Sequence, residues 1–206
     1  MKIDYKIHEI KKDIFAVVVP DTYDRCMLFL KAQEFYESPE FKGRIFSIWE
    51  FVKWYSKGDS FNYTIDWDGF NVPFKVAKKL INETETAYDV IFCNILNEIL
   101  LTYKVSDKSY IMGIGTLKGE TFEHELCHAL YYTNKDYKRD ANKLISQIDK
   151  KLYRYICSEL EMMGYDSKVF KDEVQAYLTV NPNDLFVFPK ISNISKSFRK
   201  KLSKYF

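Results

Sequence analysis

Histidine is scarce in this chain: three residues in 206, at positions 8, 124 and 128. Cysteine is scarce too, with Cys26, Cys93, Cys127 and Cys157 widely spaced and no CxxC pair among them. Each sits in a mainly apolar context, where cysteine behaves as a small buried hydrophobe. The chain has no uninterrupted apolar run of the roughly 18 residues needed to cross a bilayer. Met1–Lys6 is mixed rather than basic and then apolar, so no signal segment is expected. The reading is a reduced, cytoplasmic protein, monomeric, without a membrane span. The formal net charge is only +2, which argues against a general nucleic-acid binder. Basic residues do gather in Lys196–Lys204, read as a solvated tail or short helix rather than a nucleic-acid or membrane contact. Internal repeats, low-complexity runs and clear linkers are also lacking. A single domain over 1–206 is therefore expected, with an α/β portion over about 1–105 and a helical portion over about 106–206.

What the chain does have is apolar and aromatic mass. Hydrophobic residues make up 47% and aromatic residues 17% of it, enough for a sizeable core. Tyr5–Glu9 and Asp13–Val19 read as a strand pair, and Asp21 or Thr22 caps a helix to about Tyr36. Phe46–Tyr55 reads as an aromatic-rich helix. Phe61–Pro73 reads as a short strand and then a loop, with Trp67 and Phe70 more consistent with packing than with binding. Phe74–Ile81 and Thr86–Thr102 read as helices, the second apolar on most of its surface. Tyr110–Gly115 reads as a strand. It is either a plain structural strand or an edge strand able to pair with an extended peptide. Asp136–Gly164 keeps apolar residues at helical spacing and reads as one long helix of roughly 40 Å, stopped by Gly164. Beyond about Asn181, Pro182, Pro189 and the LFVFPKI run indicate an irregular closing segment. This element order predicts an α+β protein, mainly helical, with a small β-sheet beside the helix described next.

Two of the three histidines fall within Thr121–Thr133, as His124-Glu125-Leu126-Cys127-His128. At roughly 100° per residue, positions i and i+4 lie about 40° apart around a helix, so both imidazoles can reach one ion. Glu125 is close enough to act on a water at that ion. This is the HExxH pattern, in which the histidines bind zinc and the glutamate is a general base. Phe122, Leu126, Ala129 and Leu130 form an apolar stripe roughly opposite the histidines, as expected of a helix with one face in the core and one on a cleft. The competing reading is a helix with two polar surface histidines. Cys127 reads as a small residue allowing close packing.

A catalytic zinc usually takes three protein ligands. No histidine follows His128, and His8, far upstream in a polar strand, reads as a surface residue. A carboxylate remains, and the helix Lys168–Val180 offers Asp172 and Glu173. On a helical wheel Asp172 shares a polar arc with Lys171, Gln175 and Thr179, whereas Glu173 lies among Val169, Phe170, Tyr177 and Val180. An ionised carboxylate among apolar neighbours is costly unless it is paired or binds a metal. Glu173 is thus the preferred third ligand, with a buried ion pair as its alternative. Asp172 is either a lesser candidate ligand or an acceptor that orients a ligand histidine.

His124-Glu125-x-x-His128 followed by Glu173-Val174-Gln175-Ala176-Tyr177 resembles the gluzincin group of zinc metallopeptidases. The resemblance covers these two helices only. It implies a zincin-like metallopeptidase domain, Zn²⁺ held by His124, His128 and Glu173, Glu125 as base, and a peptide or protein substrate. Tyr177, one turn after Glu173, and Tyr131, near His124 on the wheel, are candidate stabilisers of the oxyanion, packing being the alternative for each. A metalloprotease-like regulatory or effector protein that acts mainly by binding a protein partner is the alternative function.

Overall fold

The Asp21 carboxylate accepts a hydrogen bond from the Asp24 N–H and starts the first helix one residue after Pro20, as short acidic side chains do at helix N-termini. A computed structural model describes residues 1–180 and 191–206. The closing segment read around Pro182 and Pro189 lies outside the described residues. The chain forms two compact units, Met1–Phe122 and Glu123–Phe206. The strand that follows residue 105 lies in the first of these units and is part of its sheet.

The first unit is α+β. Its strands are β1 (Lys6–Lys11), β2 (Ile14–Val18), β3 (Phe70–Pro73) and β4 (Tyr110–Ile114). They form one sheet in the order β1-β2-β4-β3. β2 and β4 pair in parallel, and β1 and β3 flank them antiparallel. β4 is consequently a central strand, buried at every position. The reading of Tyr110–Gly115 as a peptide-accepting edge strand is corrected here: both of its hydrogen-bonding sides are occupied. Helix α1 (Thr22–Glu37) packs on β3, β4 and α5 (Ala87–Thr102). Gly113 permits that approach, since a Cβ there would come within 2.5 Å of the Phe29 ring. The Thr86 hydroxyl and the Asp89 carboxylate form a reciprocal capping box that begins α5, satisfying N–H groups that the helix itself cannot.

Phe61–Pro73 differs in order from the sequence reading. A short helix α3 (Tyr63–Asp66) comes first, and the strand, β3, follows it. The aromatic side chains explain the difference, since Phe51 of α2 (Ile48–Ser56) lies edge-to-face on both Phe61 and Tyr63. Phe70 is buried and stacks on Phe29, and the Trp67 indole N–H donates to the Tyr55 hydroxyl. These residues pack. Phe74–Ile81 forms α4 (Phe74–Ala77) and a 3₁₀ turn to Leu80.

Arg25 is buried and holds several segments of the first unit. Its guanidinium donates to the Val19 carbonyl, the Asp68 carbonyl and the Thr22 hydroxyl, and pairs with the Asp68 carboxylate. Asp68 also accepts from the Thr121 hydroxyl. Thr121 lies in the first turn of α6 (Glu120–Thr133), so the same acidic residue steadies the start of that helix.

The second unit is helical among its described residues. α6 continues into it, followed by α7 (Lys135–Ile145), α8 (Lys150–Met162), α9 (Phe170–Thr179) and α10 (Ile191–Leu202). α9 packs against α7, α8 and α10. The long helix read over Asp136–Gly164 is two helices. The Asp149 carboxylate accepts from the Lys151 and Leu152 N–H groups and starts α8 afresh. Ile145, Ile148 and Leu152 are buried on both sides of the break, so the apolar spacing runs through it. Gly164, at φ +92°, stops α8, and the Tyr165 N–H reaches back to the Leu160 carbonyl, as in a left-handed glycine cap. The basic C-terminal stretch is the amphipathic α10, with Phe198 and Leu202 buried. No helix among the described residues is long and apolar enough to cross a membrane.

Candidate metal centre

α6 presents His124 and His128 one turn apart, with Nε2 atoms 3.0 Å from each other. α9 brings Glu173 to the same place, its Oε2 at 3.9 Å from His124 Nε2 and 3.7 Å from His128 Nε2. The three residues offer one ligand atom each within 4.8 Å of one another. His128 and Glu173 are buried, and His124 is partly exposed. Two imidazole nitrogens and a carboxylate oxygen are donors that suit zinc. Metal–ligand bonds of about 2.0–2.1 Å at tetrahedral angles put ligand atoms about 3.3–3.5 Å apart. The observed separations straddle that span, so the residues fit such an ion with side-chain shifts of a few tenths of an ångström.

Asp172 lies at the other nitrogen of the His128 ring, away from the His124 and Glu173 atoms. Its Oδ1 lies 2.8 Å from His128 Nδ1 and also accepts from Gln175 Nε2 at 3.0 Å. Gln175 Oε1 in turn accepts from the Tyr137 hydroxyl at 2.6 Å. A chain of hydrogen bonds, buried at Tyr137 and Gln175 and partly exposed at Asp172, therefore runs from α7 through two positions of α9 to the far nitrogen of His128. This fixes the ring so that Nε2 faces His124 and Glu173, the arrangement a ligating histidine needs.

The charges follow from this geometry. Burial opposes protonation of both rings. At His128 the carboxylates of Glu173 and Asp172 outweigh burial and hold the ring well above the usual imidazole range. At His124 burial, reinforced by His128, drives it well below. On this assignment His128 donates from Nδ1 to Asp172 and from Nε2 to His124, and its proton supplies the positive charge that Glu173 faces. A divalent ion would replace that proton.

Glu125 is buried, 6% exposed, and its charge is felt at His128, Tyr165 and Tyr177. Tyr177 lies edge-on to His124 with ring centroids 4.6 Å apart, and its hydroxyl is 3.0 Å from that of Tyr165. Burial first, then the charges of Glu173 and Glu125, raise both phenols, and one of the two hydroxyls donates to the other. Tyr131 goes elsewhere: its hydroxyl donates to Asn142 Oδ1 at 2.9 Å, and Lys138 sits over its ring. Of the two tyrosines read from the sequence, the structure brings Tyr177 to the histidines and directs the hydroxyl of Tyr131 to α7. Cys127 is fully buried and burial pushes its thiol up to about 12, which suits packing and not ligation. His8 is on edge strand β1 of the first unit.

Sequence reasoning missed Tyr165, Gln175 and Tyr137 as members of this centre. Gln175 had a signal, a polar residue one turn after Asp172. Tyr165 follows the glycine that ends α8, and no periodicity marks it. The chain matches no protein-family model, and comparison with curated proteins and with solved structures gives no significant match.

Proposed function

We propose that this protein is a zinc-dependent hydrolase, a metallopeptidase of gluzincin type with a zincin-like active-site arrangement. The observation that carries the reading is the convergence of His124, His128 and Glu173 from two helices, with Glu125 in the same pocket of charge. His124, His128 and Glu173 would hold the ion, and Asp172 would fix the tautomer of His128. When bound, zinc would polarise the scissile carbonyl and acidify the attacking water. Glu125 would take the proton of that water and deliver it to the leaving amine. Of the hydrogen-bonded phenols Tyr177 and Tyr165, the one that accepts from the other would supply a neutral donor for negative charge that develops on the substrate oxygen. A binding site without chemistry has no use for Glu125, which is why hydrolysis is preferred over the effector reading.

The test is metal content and peptide hydrolysis, measured on wild type, Glu125→Gln and Glu173→Ala. One zinc per chain with turnover, turnover lost in Glu125→Gln and zinc lost in Glu173→Ala, is the expected result. Zinc held without turnover of a peptide library would favour the binding role. No zinc after reconstitution would remove both.

A further inference from the structure

The second unit contains a cavity that the metal centre does not use. It is an open groove of about 630 Å³ between the end of α6, α7, α8 and the start of α9. Lys138, Lys150, Arg154 and Lys171 line it, and no aspartate or glutamate does. None of these four cations forms an ion pair among the described residues. Like charges gathered at one mouth repel one another and concentrate anions there. The walls between them are apolar, formed by Ile145, Ile148 and the rings of Tyr131 and Tyr153.

The ligand must satisfy both features. Four cations exceed what one carboxylate can balance, whereas phosphoryl groups carry several charges and match the fork of an arginine. Tyr153 offers a planar body a face to stack on, and Tyr131, whose ring already carries Lys138, forms with the two isoleucines a floor to cover. Asn142 also lines the cavity and accepts from Tyr131 through Oδ1, which leaves its amide nitrogen as a donor for a ring acceptor. We propose that this cavity is a nucleotide-binding site, with the phosphates on Arg154, Lys150 and Lys171 and the base against Tyr131 and Tyr153. The proposal does not depend on the hydrolase reading.

Calorimetric titration of the full chain with ADP, pyrophosphate and adenosine, in excess EDTA so that no metal bridges the phosphates, tests it. Saturable ADP binding is expected, about tenfold or more tighter than either fragment alone and weakening as salt rises. Arg154→Glu and Lys150→Glu, both at exposed positions, should each weaken ADP about tenfold, while Glu173→Ala should leave it unchanged. Absence of saturable ADP binding, ADP bound no better than pyrophosphate, or full affinity in both charge-reversed variants would overturn the proposal. So would an acidic peptide that binds at the same residues more tightly than ADP.

Discussion

Arg25 and Glu173 are both charged and almost wholly buried, at 2% and 4% exposure, one in each unit. Arg25 sits in a closed system: two backbone carbonyls, a hydroxyl and a carboxylate take its donors. The first unit treats Lys31 the same way, with Glu85 and Asp89 around it. Glu173 instead faces two imidazoles at 3.7 and 3.9 Å, groups that can exchange a proton for a metal. At Arg25 and Lys31 the buried charge is matched by carboxylates of opposite sign, and the pairing serves the fold. At Glu173 the facing groups are titratable nitrogens.

Substitutions at the two kinds of site should therefore fail differently. The largest effect is expected from Glu125→Gln, with peptide hydrolysis reduced by about 10²–10⁴-fold if it acts as general base, and zinc content unchanged by metal analysis. Full activity in that variant would break the contrast at its centre. Next, Phe51→Ala in the aromatic cluster of the first unit should cost about 3–5 kcal/mol of stability, read by urea denaturation, with no specific effect on zinc affinity in the protein that remains folded. Asp172→Asn should lower zinc affinity about 10–100-fold, measured by competition with a chromophoric chelator, while the melting temperature of the metal-free protein moves little. A variant in which these two readouts were exchanged would erase the distinction between the units.

The smallest effect concerns pH. Glu34 hydrogen-bonds to Tyr63 in the first unit, and burial, only partly offset by hydrogen bonds from Tyr63 and Ser38, raises its carboxyl to about 7. The folded state thus binds a proton that the unfolded chain, with an ordinary glutamate near pH 4.3, has released. Stability falls as pH rises from the unfolded value to about 7 and is flat above that. Urea midpoints of Glu34→Gln should lose that slope, sharpening the case that this unit's buried acids are structural.

How far the sequence carried these conclusions differs by element. Periodicity marked α1, α5, β2 and β4, because their apolar residues repeat at helical or strand spacing, and a capping residue announces α1. The HExxH frame and Glu173 were legible for the same reason: a charge in an apolar arc is visible on a wheel. The break between α7 and α8 was hidden, since Ile145, Ile148 and Leu152 keep step across it and only Asp149 signals a new start. The central place of β4 depends on which strands come to lie beside it, a long-range matter that no local window holds. The reach of Tyr137 to Gln175 and of Tyr165 to Tyr177 is likewise set by tertiary packing.

Asp172 and Glu173 are neighbours on α9, and they address the two nitrogens of one ring. Such adjacency ties both contacts to one stretch of helix. A local unwinding of α9, or a helix-breaking residue within it, would withdraw the clamp on Nδ1 and the carboxylate beside Nε2 in a single event. Any metal held here would then be lost with the helical state of these ten residues, and amide exchange in α9 would rise in step with that loss.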